Sequence, residues 1–344
     1  MSGPATRIQP LTSADAPRMA ALWPDPAARW RVERALPWQL GSRGWAVGAG
    51  EGEALSAYAA AVPASLHVLG AARPAAQLAG GGLAHHTGDL EADARMYQGL
   101  LELLRAGSVA WAYAAVPDED VPLFQSLGFS RLFEVYARNL YVGLEKVSSR
   151  LSRTALEPFR RFAKEARRLR PKLMESPMDE GQVTLLASLW AEDPPDHAFA
   201  LAKDADYLRW RYLEDPRAEY RVLTYRSKAG QGISAFALAR RGESASGRSV
   251  LHVDELWTRR GFRRDQAKLL GEVAMLALSE EVNAVRCFAA AGSGHEQALI
   301  GLGCIRKKVE RHLMVKALAP AEALPDPFPT RDVHLVSGDV ELSP

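Results

Sequence analysis

The sequence predicts an α/β protein made of two tandem copies of one domain, each a mixed, mostly antiparallel sheet flanked by helices. A strand, a short helix ending in Leu-Gly and a second strand are predicted at residues 109–131 and again, about 175 residues later, at residues 284–306. Earlier landmarks recur in the same order: Leu22-Trp23 matches Leu189-Trp190, and Arg29-Trp30-Arg31 matches Arg209-Trp210-Arg211. A period of this length is the size of a domain, not of a solenoid repeat.

Composition is that of an ordinary globular protein. The chain has 344 residues, of which 47% are hydrophobic, and a formal net charge of +2, so two cores can form and no global attraction to nucleic acid or anionic membrane is expected. No apolar run approaches the ~18 residues of a membrane span, and the N-terminus lacks a signal-peptide pattern, which favours a cytoplasmic protein. Cys287 and Cys304 are expected to be buried, without a disulfide or a metal site.

Periodicity and turn residues define the elements of each copy. The first copy is predicted to contain a strand and a helix at 8–22, a hairpin of strands at 45–49 and 55–62, strands at 66–69 and 77–84, a helix at 93–106, and strands at 109–115 and 133–142. The second is predicted to contain helices at 183–190 and 205–212, a hairpin of strands at 220–225 and 233–239, a strand at 249–257, a helix at 265–279 and the repeated unit at 284–306.

These elements divide the chain into four parts: a first domain at 1–145, a basic linking helix at 146–175, a second domain at 176–318 and a Pro-rich tail at 319–344. Within the linking helix, residues 150–172 hold nine Lys or Arg residues against two Glu, beside an apolar stripe. The stripe favours a solvated helix packed on one domain. The charge leaves open a surface for an acidic partner or membrane headgroups.

A cluster of charge marks one helix start in the second copy. Residues 251–257 predict a strand, and four arginines and Gly261 follow it at residues 259–264, where the helix begins. Free N–H groups, the helix dipole and guanidinium groups attract a pyrophosphate, and glycine admits its close approach. The alternative is a solvated basic turn. The matching turn of the first copy carries Asp89, Glu91 and Asp93, which would repel a phosphate. Any phosphorylated cofactor is therefore expected in the second copy.

The order of elements, the Leu-Gly-Phe at residues 127–129 and the basic turn resemble the GNAT acyl-CoA N-acyltransferase superfamily. Residues 206–216 and 334–341 resemble tandem GNAT proteins of bacterial polysaccharide biosynthesis. Two departures stand out: Thr258 occupies the position of the family's Arg or Gln, and Arg263 that of its second small residue. The resemblance implies an acetyl-CoA or other acyl-CoA site. Its residues would be Leu256, Trp257, Thr258, Arg259, Arg260, Gly261, Phe262, Arg263 and Arg264.

Acyl transfer to an amine needs a base for the ammonium proton and an acid for the thiolate. Alternation along the predicted strand sends Asp254 and Glu255 to opposite faces, so that one faces the cleft. The resemblance favours Glu255 as base, with Asp254 as the other candidate; the alternative is that either carboxylate pairs with an arginine such as Arg259. No tyrosine stands at the acid position of the family, where His295 offers a pKa near neutrality. The alternative for His295 is a surface histidine near a helix start.

Three functions stay open at this level. The first is an acetyl transfer to an amine, with an amino sugar of a polysaccharide precursor implied by the resemblance. The second is a Fem-like peptidyltransferase using aminoacyl-tRNA, which the basic segment at 150–172 favours. The third is a non-catalytic binding or scaffold protein, which the departures in the cofactor turn favour. No oligomeric state is predicted.

Overall fold

Strands of both halves of the chain join in a single mixed sheet. The computed structural model describes residues 7–41, 44–51, 54–78, 83–142, 173–193, 199–227, 232–243, 247–280, 282–320, 322, 324, 328–329 and 333–340. The sheet contains fifteen described strands. They are β1 (Arg7–Leu11), β2 (Trp45–Glu51), β3 (Ala54–Val68), β4 (Ala71–Leu78), β5 (Ala84–His85), β6 (Trp111–Val116), β7 (Ser130–Tyr141), β8 (Leu173–Pro177), β9 (Phe199–Leu201), β10 (Arg221–Arg226), β11 (Ile233–Glu243), β12 (Ser249–Thr258), β13 (Ala284–Ala290), β14 (Ile305–Ala317) and β15 (Val333–His334).

Helices lie on both faces of this sheet. The described helices are α1 (Ala16–Ala20), α2 (Pro26–Leu40), α3 (Leu90–Ala106), α4 (Val121–Ser126), α5 (Glu180–Glu192), α6 (Ala205–Leu208), which continues into a π-helical turn (Arg209–Leu213), α7 (Arg263–Ser279), α8 (Gly294–Gly301) and α9 (Ser337–Val340). None of these described helices is both long and apolar enough to cross a bilayer.

The strand order reads the same from either edge of the sheet. One edge gives β1, β2, β3, β4 and β6, and the other gives β8, β10, β11, β12 and β13. In both series the last two strands are parallel and the others antiparallel. At the centre, β14 of the second half pairs with β6, β7 of the first half pairs with β13, and β7 and β14 pair with each other. Each half therefore contributes one strand, β7 or β14, that pairs with the sheet of the other half. The landmarks repeated in the sequence accompany a repeated strand order.

One long helix covers one face of each half. On α3 the predicted apolar residues Met96, Leu100, Leu101 and Leu104 are all buried against the sheet. On α7 the predicted Leu269, Leu270 and Val273 are buried, and Leu276 packs at the edge of the same core. The predicted inward faces of both helices are confirmed. A stripe of apolar residues at helical spacing is buried because it packs on the sheet.

The opposite face carries α1 and α2 in the first half, and α5 and α6 in the second. Helix α2 was not predicted, although Asp25 caps it and Pro26 begins it, which are both helix-start signals. The landmark Trp30 lies on α2 with an exposed side chain, whereas Trp38 of the same helix stacks on Trp210. Trp38, not Trp30, is thus the structural counterpart of Trp210.

Several other predictions are corrected or lie beyond the described residues. The predicted strand at 66–69 is the end of one long strand, β3, which passes through Pro63 with its partner β4 alongside. The predicted strand at 77–84 is divided, since β4 ends at Leu78 and β5 begins at Ala84. Both predicted hairpins are present as antiparallel pairs. The basic segment at 150–172 lies outside the described residues.

Candidate functional site

The parallel strands β12 and β13 separate halfway along their length. They pair from Val250, opposite Ala284, to Val253, opposite Cys287. β12 then continues to Thr258 along β11 alone. The diverging ends leave an opening in the sheet between the core under α7 and the core under α5 and α6.

A β-bulge lies where the two strands separate. Leu238 of β11 faces Glu255, and its neighbour Ala239 faces Val253, so Asp254 is the extra residue of the ladder. A bulge of this kind interrupts the alternation of side chains and redirects one of them.

The bulge sends both carboxylates to the same face. Glu255 accepts a hydrogen bond from the hydroxyl of Tyr212 (3.2 Å) and Asp254 from that of Tyr220 (3.0 Å), and these two rings lie edge to face with centroids 5.0 Å apart. The prediction that Asp254 and Glu255 point to opposite faces is therefore wrong, because it assumed a regular strand.

Glu255 is fully buried in a cluster of charged side chains. Its Oε2 atom lies 2.9 Å from Nζ of Lys203, and its Oε1 atom lies 3.3 Å from Nε2 of His334. Lys203 also contacts the carboxylate of Asp339, which is buried as well. Buried charges need such partners, because an isolated ion in a protein interior is strongly destabilising.

This cluster fixes the charge of its members. Burial disfavours the ionised form of Glu255, but Lys203 and His334 outweigh it and lower the pKa of Glu255 to about 2. Burial would lower the pKa of Lys203, but Asp339 and Glu255 raise it well above its ordinary value, so the ammonium stays protonated. Burial and the neighbouring Glu255 raise the pKa of Asp339. Lys203 therefore contacts two carboxylates of different character: Glu255 is firmly ionised, and Asp339 is protonated more readily.

Asp254 belongs to a second, adjoining network. Its Oδ2 atom accepts from Nε of Arg240 at 2.6 Å as well as from Tyr220. Burial opposes ionisation of Asp254, but Arg240 and other cationic neighbours lower its pKa. Arg211, which pairs with Asp215 at 2.9 Å, donates its Nε to the carbonyl of Gly338. The alternative that one carboxylate pairs with an arginine is confirmed for Asp254, whose arginine is Arg240. Arg259 pairs with Glu192 at 3.4 Å.

The C-terminal segment at residues 333–340 lies along the opening between β12 and β13. Val336 packs in the core under α7, while Val333 and Leu335 share a core with Phe288 at the end of β13. α9 contacts both strands. Gly338 fits closely, because a Cβ there would lie 2.1 Å from the Tyr212 hydroxyl oxygen.

His295 lies at the start of α8 and is buried, so the alternative of a surface histidine is wrong. Its Nδ1 atom is 3.0 Å from the amide nitrogen of Gln266, and its ring centroid is 6.0 Å from that of His334. Since His334 contacts Glu255, the structure brings all three predicted catalytic residues to one region, with His334 between His295 and the carboxylates.

The predicted cofactor turn joins this opening to α7. Leu256 and Trp257 are buried on β12, Thr258 ends the strand, and the helix starts at Arg263 without a side-chain cap from the N-cap residue Phe262. Gly261 has a φ of +82°, which glycine adopts freely, and nothing lies within 4 Å of a Cβ built on it. Arg264 is exposed, and Arg260 is more than half exposed while its Nε atom lies 3.6 Å from Asp193. The backbone N–H of Arg260 donates to Asp193, so that donor of the turn is occupied. The uncapped helix start, the open glycine and the exposed guanidinium groups fit a pyrophosphate.

The equivalent turn of the first half is closed. Asp89 caps α3 by accepting from the N–H groups of Glu91 and Ala92, and Asp93 accepts from both the N–H and the hydroxyl of Thr87. The carboxylate of Asp89 occupies the position that an anionic ligand would take, and the turn adds no cation to it. The two halves therefore differ at this turn in geometry as they do in charge.

The sequence interpretation missed Lys203, His334, Asp339 and Tyr212. Three of them lie in the segments that carry the resemblance, 206–216 and 334–341, and both of these segments converge on the bulge of β12. Lys203 gave no signal, because a single lysine before a helix is common and only long-range packing buries it. Within the described residues no group of three His, Cys, Asp or Glu side chains suits a metal ion.

Comparison with known proteins identifies the fold. No family model and no curated protein matches the sequence. Among solved structures, a probable N-acyltransferase from Enterococcus faecalis matches with a TM-score of 0.60 at 15% identity, over 91% of this chain and 72% of that chain. A GCN5-related N-acetyltransferase from Anabaena variabilis gives a TM-score of 0.60 at 10% identity, over 91% and 73%.

A third match is the N-myristoyltransferase of Saccharomyces cerevisiae, solved with bound myristoyl-CoA. It gives a TM-score of 0.60 at 9% identity, over 100% of this chain and 85% of that chain. The chain therefore has the fold of the GCN5-related acyltransferases over most of its length, as the sequence resemblance implied.

Proposed function

We propose that this chain is an acyl-CoA-dependent N-acyltransferase built from two tandem GNAT-like copies, and that the second copy holds the cofactor. The observation that carries the proposal is the uncapped basic turn at the start of α7, which follows a bulged strand whose parallel neighbour diverges. The matched structures support it, because those named above are called acyltransferases and one was solved with an acyl-CoA.

The turn would hold the cofactor by its phosphates. Gly261 leaves room for close approach, Arg264 and Arg260 supply positive charge at the surface, and the dipole of α7 adds to it. Leu256 and Trp257 would contribute through their backbone, because their side chains are core residues. The bound cofactor supplies the acyl group as a thioester. Acetyl-CoA is the proposed form.

The proposed acceptor is an amine. A cavity of about 670 Å³ lies between the two halves, lined by Trp38 and Trp210 and by the carboxylates Asp204, Asp206 and Glu214. Aromatic faces and carboxylates attract an ammonium group. The cavity also reaches Ala202, next to Lys203 of the buried cluster. An amino sugar of a polysaccharide precursor is our proposal for the acceptor from the resemblance of residues 206–216 and 334–341.

Glu255 is the proposed base, with one condition. A base whose pKa is about 2 accepts protons poorly at neutral pH, so Glu255 would act only when its contact with Lys203 loosens. Movement of the segment at 333–340 would remove His334 and Asp339 but leave Lys203 beside Glu255. The Lys203 ammonium itself would therefore have to move away before Glu255 accepts a proton. His295, which is separated from Glu255 by the ring of His334, is the proposed proton donor to the thiolate.

A second candidate function is a non-catalytic binding or scaffold protein. The specific observation in its favour is that residues 333–340 lie where the diverging strands would receive the acyl arm of a cofactor. The alternative that uses aminoacyl-tRNA depended on residues 150–172, which lie outside the described part of the chain.

Calorimetric titration with acetyl-CoA separates the first two candidates. We expect one cofactor per chain, with an affinity that falls as salt rises and is lost in the double variant Arg260→Glu/Arg264→Glu. The matched control Arg95→Glu/Arg105→Glu reverses two exposed charges on α3 and should bind as the unmodified chain does. Absence of binding to the unmodified chain favours the non-catalytic function. Equal affinity in the turn variant removes the turn from the site.

A further inference from the structure

A second cleft between the halves has arginine as its most frequent lining residue. Its volume is about 370 Å³, and it lies between α2, the end of the π-helical turn and strands β11 to β13. It is separate from the turn at α7, since none of residues 258–264 lines it. Small-molecule sites begin at about this volume.

Three neighbouring strands place two arginines and a histidine in a row on its floor. Arg240 of β11 is in register with His252 of β12, and His252 is in register with Arg286 of β13. Residues in register on adjacent strands carry their side chains on the same face, about 5 Å apart. The floor is therefore a line of three groups, two of which always carry a positive charge.

The walls add further guanidinium groups. Arg31 and Arg34 stand one turn apart on α2, both exposed, and Arg34 lies over the ring of Trp30 with its central carbon 4.9 Å from the ring centroid. Arg211 and Arg217, on the opposite wall, share the carboxylate of Asp215. Both halves of the chain thus contribute to the cleft.

Positive charge exceeds negative charge here. Among the described residues, seven arginines line the cleft, and Asp215 and Glu243 are its carboxylates. Two carboxylates from outside, Asp254 and Glu280, pair with Arg240 and Arg241. Even with all four counted, guanidinium groups are in excess by three. So many like charges repel one another unless an anion joins them.

The environment of His252 is in keeping with this positive field. Its ring is buried, and burial together with Arg240 lowers the pKa of His252 to about 4. Gly242 beside it has no side chain, and a Cβ there would lie 3.0 Å from the His252 ring. The neutral imidazole therefore sits under the guanidinium groups without adding to their repulsion.

We propose that this cleft binds the phosphate or pyrophosphate group of a small molecule, held between Arg31 and Arg34 of α2 and the strand arginines Arg240 and Arg286. Guanidinium groups bind phosphate oxygens in pairs of parallel hydrogen bonds, and several of them together accommodate a multiply charged anion. The ring of Trp30 at the rim offers an apolar face to the remainder of the ligand. The inference does not depend on acyl transfer.

Titration with inorganic pyrophosphate tests the proposal in a background, Arg260→Gln/Arg264→Gln, that removes the exposed charges from the α7 turn. We expect one pyrophosphate per chain. Adding Arg31→Gln/Arg34→Gln should weaken binding about a hundredfold, because each charge-assisted contact is worth roughly a factor of ten. Both residues are exposed on a helix, so the fold is retained. The matched control adds Arg95→Gln/Arg105→Gln instead and should leave the affinity unchanged.

Two results overturn the proposal. The first is an affinity that is unchanged in the Arg31/Arg34 variant or falls equally in the control, since binding would then reflect diffuse charge. The second comes from titration with CoA: a loss of CoA affinity caused by Arg31→Gln/Arg34→Gln alone would assign the cleft to the cofactor's own phosphates. If the chain fails to bind CoA but binds pyrophosphate in the cleft, this proposal stands and the proposed acyl transfer is contradicted.

Discussion

Trp38 and Trp210 hold the two halves together by a reciprocal contact. The indole N–H of Trp38 donates to the backbone carbonyl of Trp210 at 2.9 Å, and that of Trp210 donates to the carbonyl of Trp38 at 3.3 Å. Their rings stack with centroids 5.0 Å apart and planes inclined by 15°. Reciprocal hydrogen bonds between equivalent residues are typical of a local twofold axis. It agrees with the symmetric strand order.

Removing either indole N–H should weaken the junction. Trp38→Phe and Trp210→Phe keep an aromatic ring and delete one hydrogen bond each, so each should lower the free energy of unfolding by about 1 kcal/mol. Urea unfolding measures this change. Trp30→Phe, on the exposed side of α2, is the matched control and should be neutral within about 0.5 kcal/mol. Equal effects of Trp30→Phe and Trp38→Phe would contradict the assignment of Trp38 to the junction.

Glu255→Gln should abolish turnover and retain cofactor binding. Glutamine keeps the shape and a hydrogen-bonding oxygen but cannot accept the ammonium proton, and a positioned base is typically worth about 100- to 10,000-fold in rate. Steady-state kinetics with any accepted amine and calorimetry with acetyl-CoA provide the two readouts. Asp254→Asn, which alters the adjoining carboxylate of the bulge, is the comparison. Full activity in Glu255→Gln would pass the role to Asp254 or to water.

His252 should make the fold sensitive to mild acid. Arg240 and Arg286 face its ring, Asp254 is the nearby carboxylate, and the pKa of His252 in the folded chain is about 4 against an ordinary 6.5. The unfolded chain therefore takes up a proton as pH falls below about 6.5 while the folded chain does not. Stability should be full above that pH and decline by about 3 kcal/mol as pH approaches 4.

The decline is measured by urea unfolding at several pH values. His252→Gln removes the titrating group and should flatten the curve between pH 6.5 and 4, whatever it does to stability at neutral pH. A slope that persists in His252→Gln would show that other groups cause it.

Gly338→Ala should displace the segment at 333–340. The added methyl group would overlap the hydroxyl of Tyr212 and approach the carbonyl of Asp254 to 2.9 Å, and overpacking of this kind costs about 1–3 kcal/mol. Hydrogen exchange of residues 333–340 should accelerate accordingly. Gly301→Ala, at the end of α8 with open space around it, is the control.

The same variant distinguishes the two candidate functions. If the segment competes with a cofactor for the opening between β12 and β13, Gly338→Ala should bind acetyl-CoA more tightly than the unmodified chain does. Faster exchange without any gain in affinity would mean that the segment does not compete with a cofactor for this opening, which favours the non-catalytic function.

Local patterns predicted the elements that bury one face. The stripe Met96, Leu100, Leu101 and Leu104 identified α3, and the run of residues 249–257 identified β12, because spacing alone reports a helix or strand that packs on one side. The charge difference between Asp89 and the arginines near Gly261 likewise indicated which helix start is capped, since acids at that position cap helices and arginines do not.

Long-range contacts were beyond the sequence. The bulge at Asp254 depends on the register of β11, which the strand's own residues do not specify. The burial of Lys203 depends on Glu255 and on Asp339, which lies 136 residues away. Trp30 was matched to Trp210 by its arginine neighbours, because the contact between Trp38 and Trp210 joins the two halves and leaves no local pattern. The sequence predicted the duplicated order of elements. It did not predict that each half completes its part of the sheet with a strand of the other half.

That exchange of β7 and β14 governs how the chain can fold as it is made. β6 of the first half gains its second neighbour only when β14 arrives, and β14 ends at Ala317. Independent domains fold one after another during translation. Here the β6 edge of the first half stays unpaired until β14 has been synthesised, and separate expression of the two halves would give fragments with unpaired strand edges.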